Sequence, residues 1–136
     1  MSSDVRIYKI RDFIRKNEKG DIDFERSQQI IHELAVAASF HAGHNILVDM
    51  RETSVVGDAH IGDILQLSLE MARYGSVFKG KIANVIPGDP KRLSIARQFK
   101  NSLNLLGLRY EVFTSFEDAI DWLSDITDLS PLKTDG

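Results

Sequence analysis

The chain contains no cysteine. That removes disulfides, thiol nucleophiles and thiolate metal sites together, and leaves the redox compartment open. Its first residues, Met1-Ser2-Ser3-Asp4-Val5-Arg6, hold neither the basic segment nor the apolar segment of a signal peptide. No apolar run approaches the roughly 18 residues of a membrane helix. An integral membrane segment is therefore not expected, and the cytoplasm is the expected compartment. There is no glycine-rich phosphate loop, no internal repeat and no low-complexity stretch. An aromatic-plus-basic platform is missing too, and with a net charge of −3 nucleic acid is not an expected partner.

What is present fits one domain. The 136 residues are 43% apolar and 27% charged, ordinary values for a soluble globular chain. The charge is unevenly spread. Residues 73–100 carry seven basic and one acidic side chain, whereas residues 21–72 carry two and nine, and residues 111–136 carry one and seven. Solvated helix faces account for such blocks; the sharper reading is a bipolar surface that orients an electrostatic partner.

Patterning predicts the order of elements. Residues Val5–Ile10 alternate as a strand, with Phe13 and Ile14 continuing it or opening a second. Glu18-Lys19-Gly20-Asp21 reads as a turn. Asp23 caps a helix that runs to about Phe40, with Ile30, Ile31, Leu34, Ala37 and Ala38 facing inward and Gly43 as the stop. Ile46-Leu47-Val48 is a buried strand delivering Asp49, followed by a polar loop over residues 50–58. A helix from about His60 to Tyr74 stops at Gly75, and Lys81–Ile86 is a second buried strand. Gly88-Asp89-Pro90 opens a third helix, which closes at Gly107. Residues 109–126 repeat the theme. Tyr110 and Val112 alternate, Thr114 with Glu117 or Ser115 with Asp118 forms a capping box, and Phe116, Ala119, Ile120 and Leu123 share one face. This α/β alternation predicts a single domain over residues 1–126 and a flexible tail over 127–136.

Two helices differ in breadth. In the third, Ile95, Ala96, Phe99, Leu103 and Leu106 form one stripe at 3.6-residue spacing. In the second, Ile61, Ile64, Leu65, Leu67, Leu69, Met71 and Ala72 spread over an arc of about 200°, twice a one-sided stripe. That excess edge needs a cover, either from the same chain or from a partner.

The segment Val112-Phe113-Thr114-Ser115-Phe116-Glu117-Asp118-Ala119-Ile120-Asp121-Trp122-Leu123 resembles the strand-cap-helix ending of the SpoIIAA-like family within the STAS superfamily. Ile46-Leu47-Val48-Asp49-Met50 is similar to that family's central strand, and Phe78-Lys79-Gly80-Lys81-Ile82-Ala83-Asn84-Val85 to a later one. The resemblance implies a STAS-like α/β fold: a mixed sheet of four to five strands packed with about four helices. It also implies a regulatory or binding module without a defined activity. Superfamily relatives that bind a partner kinase are switched by phosphorylation within Asp-Ser-Ser-Gly-Leu-Gly. The corresponding stretch here is Asp58-Ala59-His60-Ile61-Gly62-Asp63, with neither serine, so the switch does not carry over.

The candidate binding residues are Asp49, Arg51, Asp58, His60 and Asp63 around the presumed end of the central strand, where open α/β sheets tend to bind ligands. Leu67, Leu69 and Met71 on the broad helix are the candidate docking residues. No catalytic residue, metal or cofactor is expected. The expected partner is a protein or a second copy of the chain, acting through that helix. The alternatives are a carrier of a small hydrophobic ligand, by analogy with CRAL-TRIO domains, and a hydrolase or transferase using Asp49, His60 and Asp63. His41 and His44 could contribute to a zinc site with a carboxylate, with a helix end as the plainer reading. Gly88-Asp89-Pro90-Lys91-Arg92 offers helix N–H groups and two cations to a phosphate, with a simple cap as the plainer reading.

Overall fold

The computed structural model describes residues 6–9, 13–41, 43–57 and 60–128, the segments 6–9 and 125–128 through their backbone only. Val5, Ile10, Asp58 and residues 129–136, on all of which expectations fell, lie outside the described residues. The elements are β1 (Arg6–Lys9), β2 (Phe13–Ile22), α1 (Phe24–Phe40), β3 (Asn45–Val55), α2 (Ile61–Arg73), β4 (Lys81–Val85), α3 (Pro90–Leu105), β5 (Arg109–Phe113), α4 (Phe116–Leu123) and β6 (Asp125–Asp128).

Four strands form one sheet in the order β2-β3-β4-β5, and every pairing in it is parallel. Each neighbouring pair is joined by one of α1, α2 and α3, as parallel pairing requires a crossover. The mixed character expected of the sheet resides in a separate antiparallel ribbon of β1 and β6. Thr127 and Asp128, expected in the tail, are part of that ribbon, opposite Ile7 and Arg6.

The helices begin where the caps predicted. The Asp23 carboxylate accepts from the Arg26 N–H at 2.7 Å, and Asp89 from the Arg92 N–H at 2.9 Å with Pro90 in the first turn. Of the two capping boxes considered for α4, Ser115 is the cap, its hydroxyl accepting from the Asp118 N–H. Helix α1 buries Ile30, Ile31, Leu34, Ala35 and Ala38, with Ala37 half-buried. Leu106 is a correction. It is the C-cap of α3 and exposed, while Leu108 beyond Gly107 turns into the core.

The turn expected at Glu18–Asp21 and the loop expected over residues 50–55 are instead paired strand, the second halves of β2 and β3. The register explains why. Asn17 pairs with Asp49 but Lys19 pairs with Glu52, so Met50 and Arg51 together oppose Glu18. This is a β-bulge on β3. It switches the inward set from Val48 and Met50 to Thr53 and Val55, which destroys the period-2 signature that would mark a strand in sequence.

Two packed layers result. On one face of the sheet Ile22, Ile46, Val48, Ile82 and Tyr110 pack with α1, α2 and α3. On the other, Leu47, Ala83 and Val85 pack with Ala119, flanked by Phe116, Ile120, Trp122 and Leu123 of α4.

An ionic network fastens α1 to β2. The Lys16 ammonium lies 2.7 Å from Glu18 and 2.6 Å from Glu33, and the Arg26 guanidinium lies 2.9 Å from each of the same two carboxylates. Burial is the largest influence on Glu18 and pushes its carboxyl up, but the hydrogen bonds from Lys16 and Arg26 together outweigh it and hold it below the usual carboxylate range. For Glu33 the hydrogen bonds from Arg26 and then Lys16 dominate, and its carboxyl is drawn down to about 2.

Both folded values are depressed, so this contribution to stability is complete above the ordinary carboxylate value. It is lost as pH falls toward the folded values. Urea unfolding at about pH 7 and about pH 3 should therefore show a smaller acid loss in Arg26→Leu than in wild type. Equal losses in the two proteins would show that the network contributes nothing to acid sensitivity.

Candidate functional site

The residues expected to meet at one strand end do not all meet. Asp49 is mid-strand, six residues before the end of β3. The Arg51 side chain donates to it at 2.7 and 3.0 Å, the Arg51 N–H at 3.2 Å, and Arg15 lies 3.6 Å away. Both guanidinia stand over the Phe116 ring of α4, 4.7 and 5.5 Å from its centre. The hydrogen bond from Arg51 is the largest influence holding the Asp49 carboxyl below its usual range. It is thus a fully engaged carboxylate on the α4 side of the sheet.

His60 and Asp63 belong to the opposite layer. His60 is the N-cap of α2 without a side-chain capping bond, and Asp63 is in the first turn. Strand alternation before the bulge turns Asp49 away from α2, and the Arg51 guanidinium, from the bulge itself, stands over Phe116 on the α4 side. His41 and His44 are close, ring centres 5.1 Å apart. Among the described residues no group of three or more His, Asp or Glu side chains is placed to hold a metal ion.

Helix α2 divides its apolar residues between two tasks. Ile64, Ser68 and Met71 are its buried face, and Leu67 packs half-buried beside them. Met71, only 2% exposed, is a core residue and not a surface one. Ile61, Leu65 and Leu69, spaced by four, remain 69%, 50% and 54% exposed.

Beneath α2 lies a cavity of about 150 Å³, bounded by α1, α2, α3 and the sheet. Its walls are mostly aliphatic, and Leu67 and Met71 are among them. Four polar side chains break the apolar lining: Ser27 of α1, whose hydroxyl donates to the Asp23 carbonyl at 2.9 Å, Asn84 of β4, Arg92 of α3 and Tyr110 of β5. The Asn84 amide donates to the Tyr110 hydroxyl at 2.7 Å, while Asn84 Oδ1, in a side chain 9% exposed, has no hydrogen-bond partner. Burial pushes the Tyr110 phenol well above its usual range, so it keeps its proton. Its ring stands edge-on to Phe99, 5.3 Å away.

Arg92 closes one end. Its guanidinium donates to Thr53 Oγ1 at 2.9 Å and to the Thr53 carbonyl at 3.4 Å, and burial lowers its pKa below the usual arginine value. Beyond it is a groove of about 280 Å³ between the ends of β3 and β4 and the start of α3, to which Arg92, Val55 and Ile95 also contribute.

Asn84 and Tyr110 were not among the candidate residues. One signal was available: Asn84 sits two residues from both Ile82 and Ile86, on the buried face of an otherwise apolar strand. In sequence, Arg92 stands out only as one of two cations that a phosphate at the start of α3 could meet. That Thr53 would fix it inside a cavity depends on the bulge.

These features define an α/β protein with a parallel sheet, three helices over one face and one over the other. The fold is SpoIIAA-like. A crystal structure of an uncharacterised DUF3478-family protein with a SpoIIAA-like fold, from Shewanella loihica PV-4, aligns with a TM-score of 0.52 and 21% identity, covering 90% of this chain and 98% of that one. No known family profile matches the chain, and no curated protein does. Among the described residues, no helix is long and apolar enough to cross a membrane.

The Asn84–Tyr110 pair should be energetically coupled. Asn84→Leu and Tyr110→Phe each leave a buried polar partner unsatisfied, at a cost of about 1–3 kcal/mol. In the double variant neither is left, so its loss of stability should fall below the sum of the single losses. Chemical denaturation of the four proteins measures this; simple additivity would mean the pair is not coupled.

Proposed function

We propose that this protein is a non-enzymatic binding module whose ligand is small and largely apolar, held in the cavity between α2 and the sheet. The observation that carries the reading is an apolar chamber with an unpartnered, nine-tenths-buried Asn84 oxygen in its wall. Buried polar atoms are normally paired, and unpaired ones concentrate where something else completes them. A mostly apolar pocket with a few convergent polar groups is the general form of a small-molecule site. A volume of about 150 Å³ accommodates a body the size of a benzene ring.

The test is a titration with benzene followed by carbon-13 methyl NMR. Methyl signals of Ile31, Leu34 and Met71 should shift and saturate, and thermal stability should rise with benzene concentration. The chamber can be filled from Ala96, which lines it; Ala96→Leu should abolish the shifts. Unmoved methyl signals in wild type would rule the cavity out as a binding site.

A second reading draws on Ile61, Leu65 and Leu69, which no described residue covers. It makes α2 a docking surface for a protein partner or a second copy of the chain. Each leucine is already about half covered, so completing its burial would contribute about 0.8–1.5 kcal/mol, and the stripe together would matter to association. Sedimentation should then find association in wild type and a monomer in Leu65→Glu/Leu69→Glu. A wild type that stays monomeric at high concentration removes the homodimer. Leu67 is unsuited to this test, because it packs on the core.

A further inference from the structure

We propose that the ligand is a small amphipathic monocarboxylate, its apolar body toward α1 and its carboxylate on Arg92. This rests on the cavity reading above and adds the chemistry of the head group.

The chamber is polarised. Its β2 and α1 side is formed by Ile22, Ile30, Ile31 and Leu34 with Ser27, whose hydroxyl is already committed to the Asp23 carbonyl, whereas Asn84, Arg92 and Tyr110 all come from β4, α3 and β5. An apolar group therefore meets its like at one end and a polar group at the other.

Arg92 decides the sign of the head group. Among the half-buried cations, Lys16 and Arg26 share two carboxylates and Lys100 pairs with Glu111, while Lys81 donates to the Trp122 carbonyl and stands over that ring. Arg92 has only the oxygens of Thr53, and among the described residues no carboxylate forms an ion pair with it. Asp89 acts on it only at longer range, its carboxylate being committed to the helix cap. A guanidinium removed from water without an anion is costly. Its planar array of N–H groups also matches a carboxylate in bidentate fashion. A ligand carboxylate would give Arg92 the anionic partner that Lys16, Arg26 and Lys100 have.

Asn84 and Tyr110 do not oppose this choice. A half-turn of the Asn84 amide exchanges Oδ1 and Nδ2, so that Tyr110 donates to the amide oxygen and the amide N–H is free to meet an acceptor. The neutral pair thus serves a donor or an acceptor, and the fixed charge selects the anion. A second negative charge would have no cation in the aliphatic part of the chamber, which excludes dicarboxylates.

Benzoate, the near-isosteric benzamide and benzene separate the claims. By methyl NMR titration, benzoate should bind wild type at least about tenfold more tightly than benzamide. Arg92→Met should erase that preference in a protein whose cavity methyls still respond to benzene, and Arg92→Gln should do the same. If benzamide equals benzoate in wild type, or if the preference survives in either variant, the head-group assignment is wrong although the cavity binds. If none of the three compounds shifts the cavity methyls, the cavity reading itself fails, and this inference with it.

Discussion

Four sequentially adjacent strands, all parallel, are the constraint from which the rest of this fold follows. A parallel neighbour can be reached only by crossing back over the sheet, and such crossovers share one hand. Helices α1, α2 and α3 therefore crowd one face, and only α4 is left for the other. The two layers are joined at the start of the central strands. Asn45 accepts from the Lys81 N–H at 2.9 Å and donates to the Leu123 carbonyl at 3.0 Å, while the Lys81 ammonium reaches the Trp122 carbonyl at 2.8 Å. Gly80 lets this junction close, since a Cβ there would lie 2.5 Å from the His44 carbonyl oxygen. The cavity lies on the crowded face, and its Arg92 and Val55 are toward the opposite ends of those strands.

The polar groups inside the fold fall into two kinds. The Lys16, Glu18, Arg26 and Glu33 network and the Asp49 cluster satisfy themselves, and their depressed carboxylate values follow from that pairing. A carboxylate engaged in this way is poorly suited to proton transfer, because its proton affinity has been moved away from neutrality. The Asn84, Arg92 and Tyr110 group is different: it is buried among aliphatic side chains and incompletely paired. The first kind contributes to stability. The second is where binding chemistry can be supplied from outside.

Much of the fold was legible because local rules and tertiary packing agreed. Asp23, Asp89 and Ser115 begin helices as their short polar side chains dictate, and Ile46-Leu47-Val48 and Lys81–Val85 are apolar enough to be buried on both faces. The second halves of β2 and β3 were not legible. Glu18-Lys19-Gly20 has the composition of a turn, and the bulge at Met50 and Arg51 breaks the alternation that would have marked Thr53 and Val55 as inward. Helix α2 was half legible. Its broad apolar arc is visible in sequence, but the division between cavity-lining Leu67 and Met71 and exposed Leu65 and Leu69 depends on how the helix is rotated against its neighbours.

The amino-acid sequence by itself determined the order of elements from α1 to α4, the caps, the core faces of most helices and the resemblance of residues 112–123 to a known strand-cap-helix ending, because these depend on neighbours within a few positions. Only the tertiary structure decided that Asp49 and His60 lie in different layers, that Met71 is core, and that Asn84, Arg92 and Tyr110 share one chamber. Those outcomes depend on strand register and on a single extra residue in β3, which reverses the facing of every side chain after it.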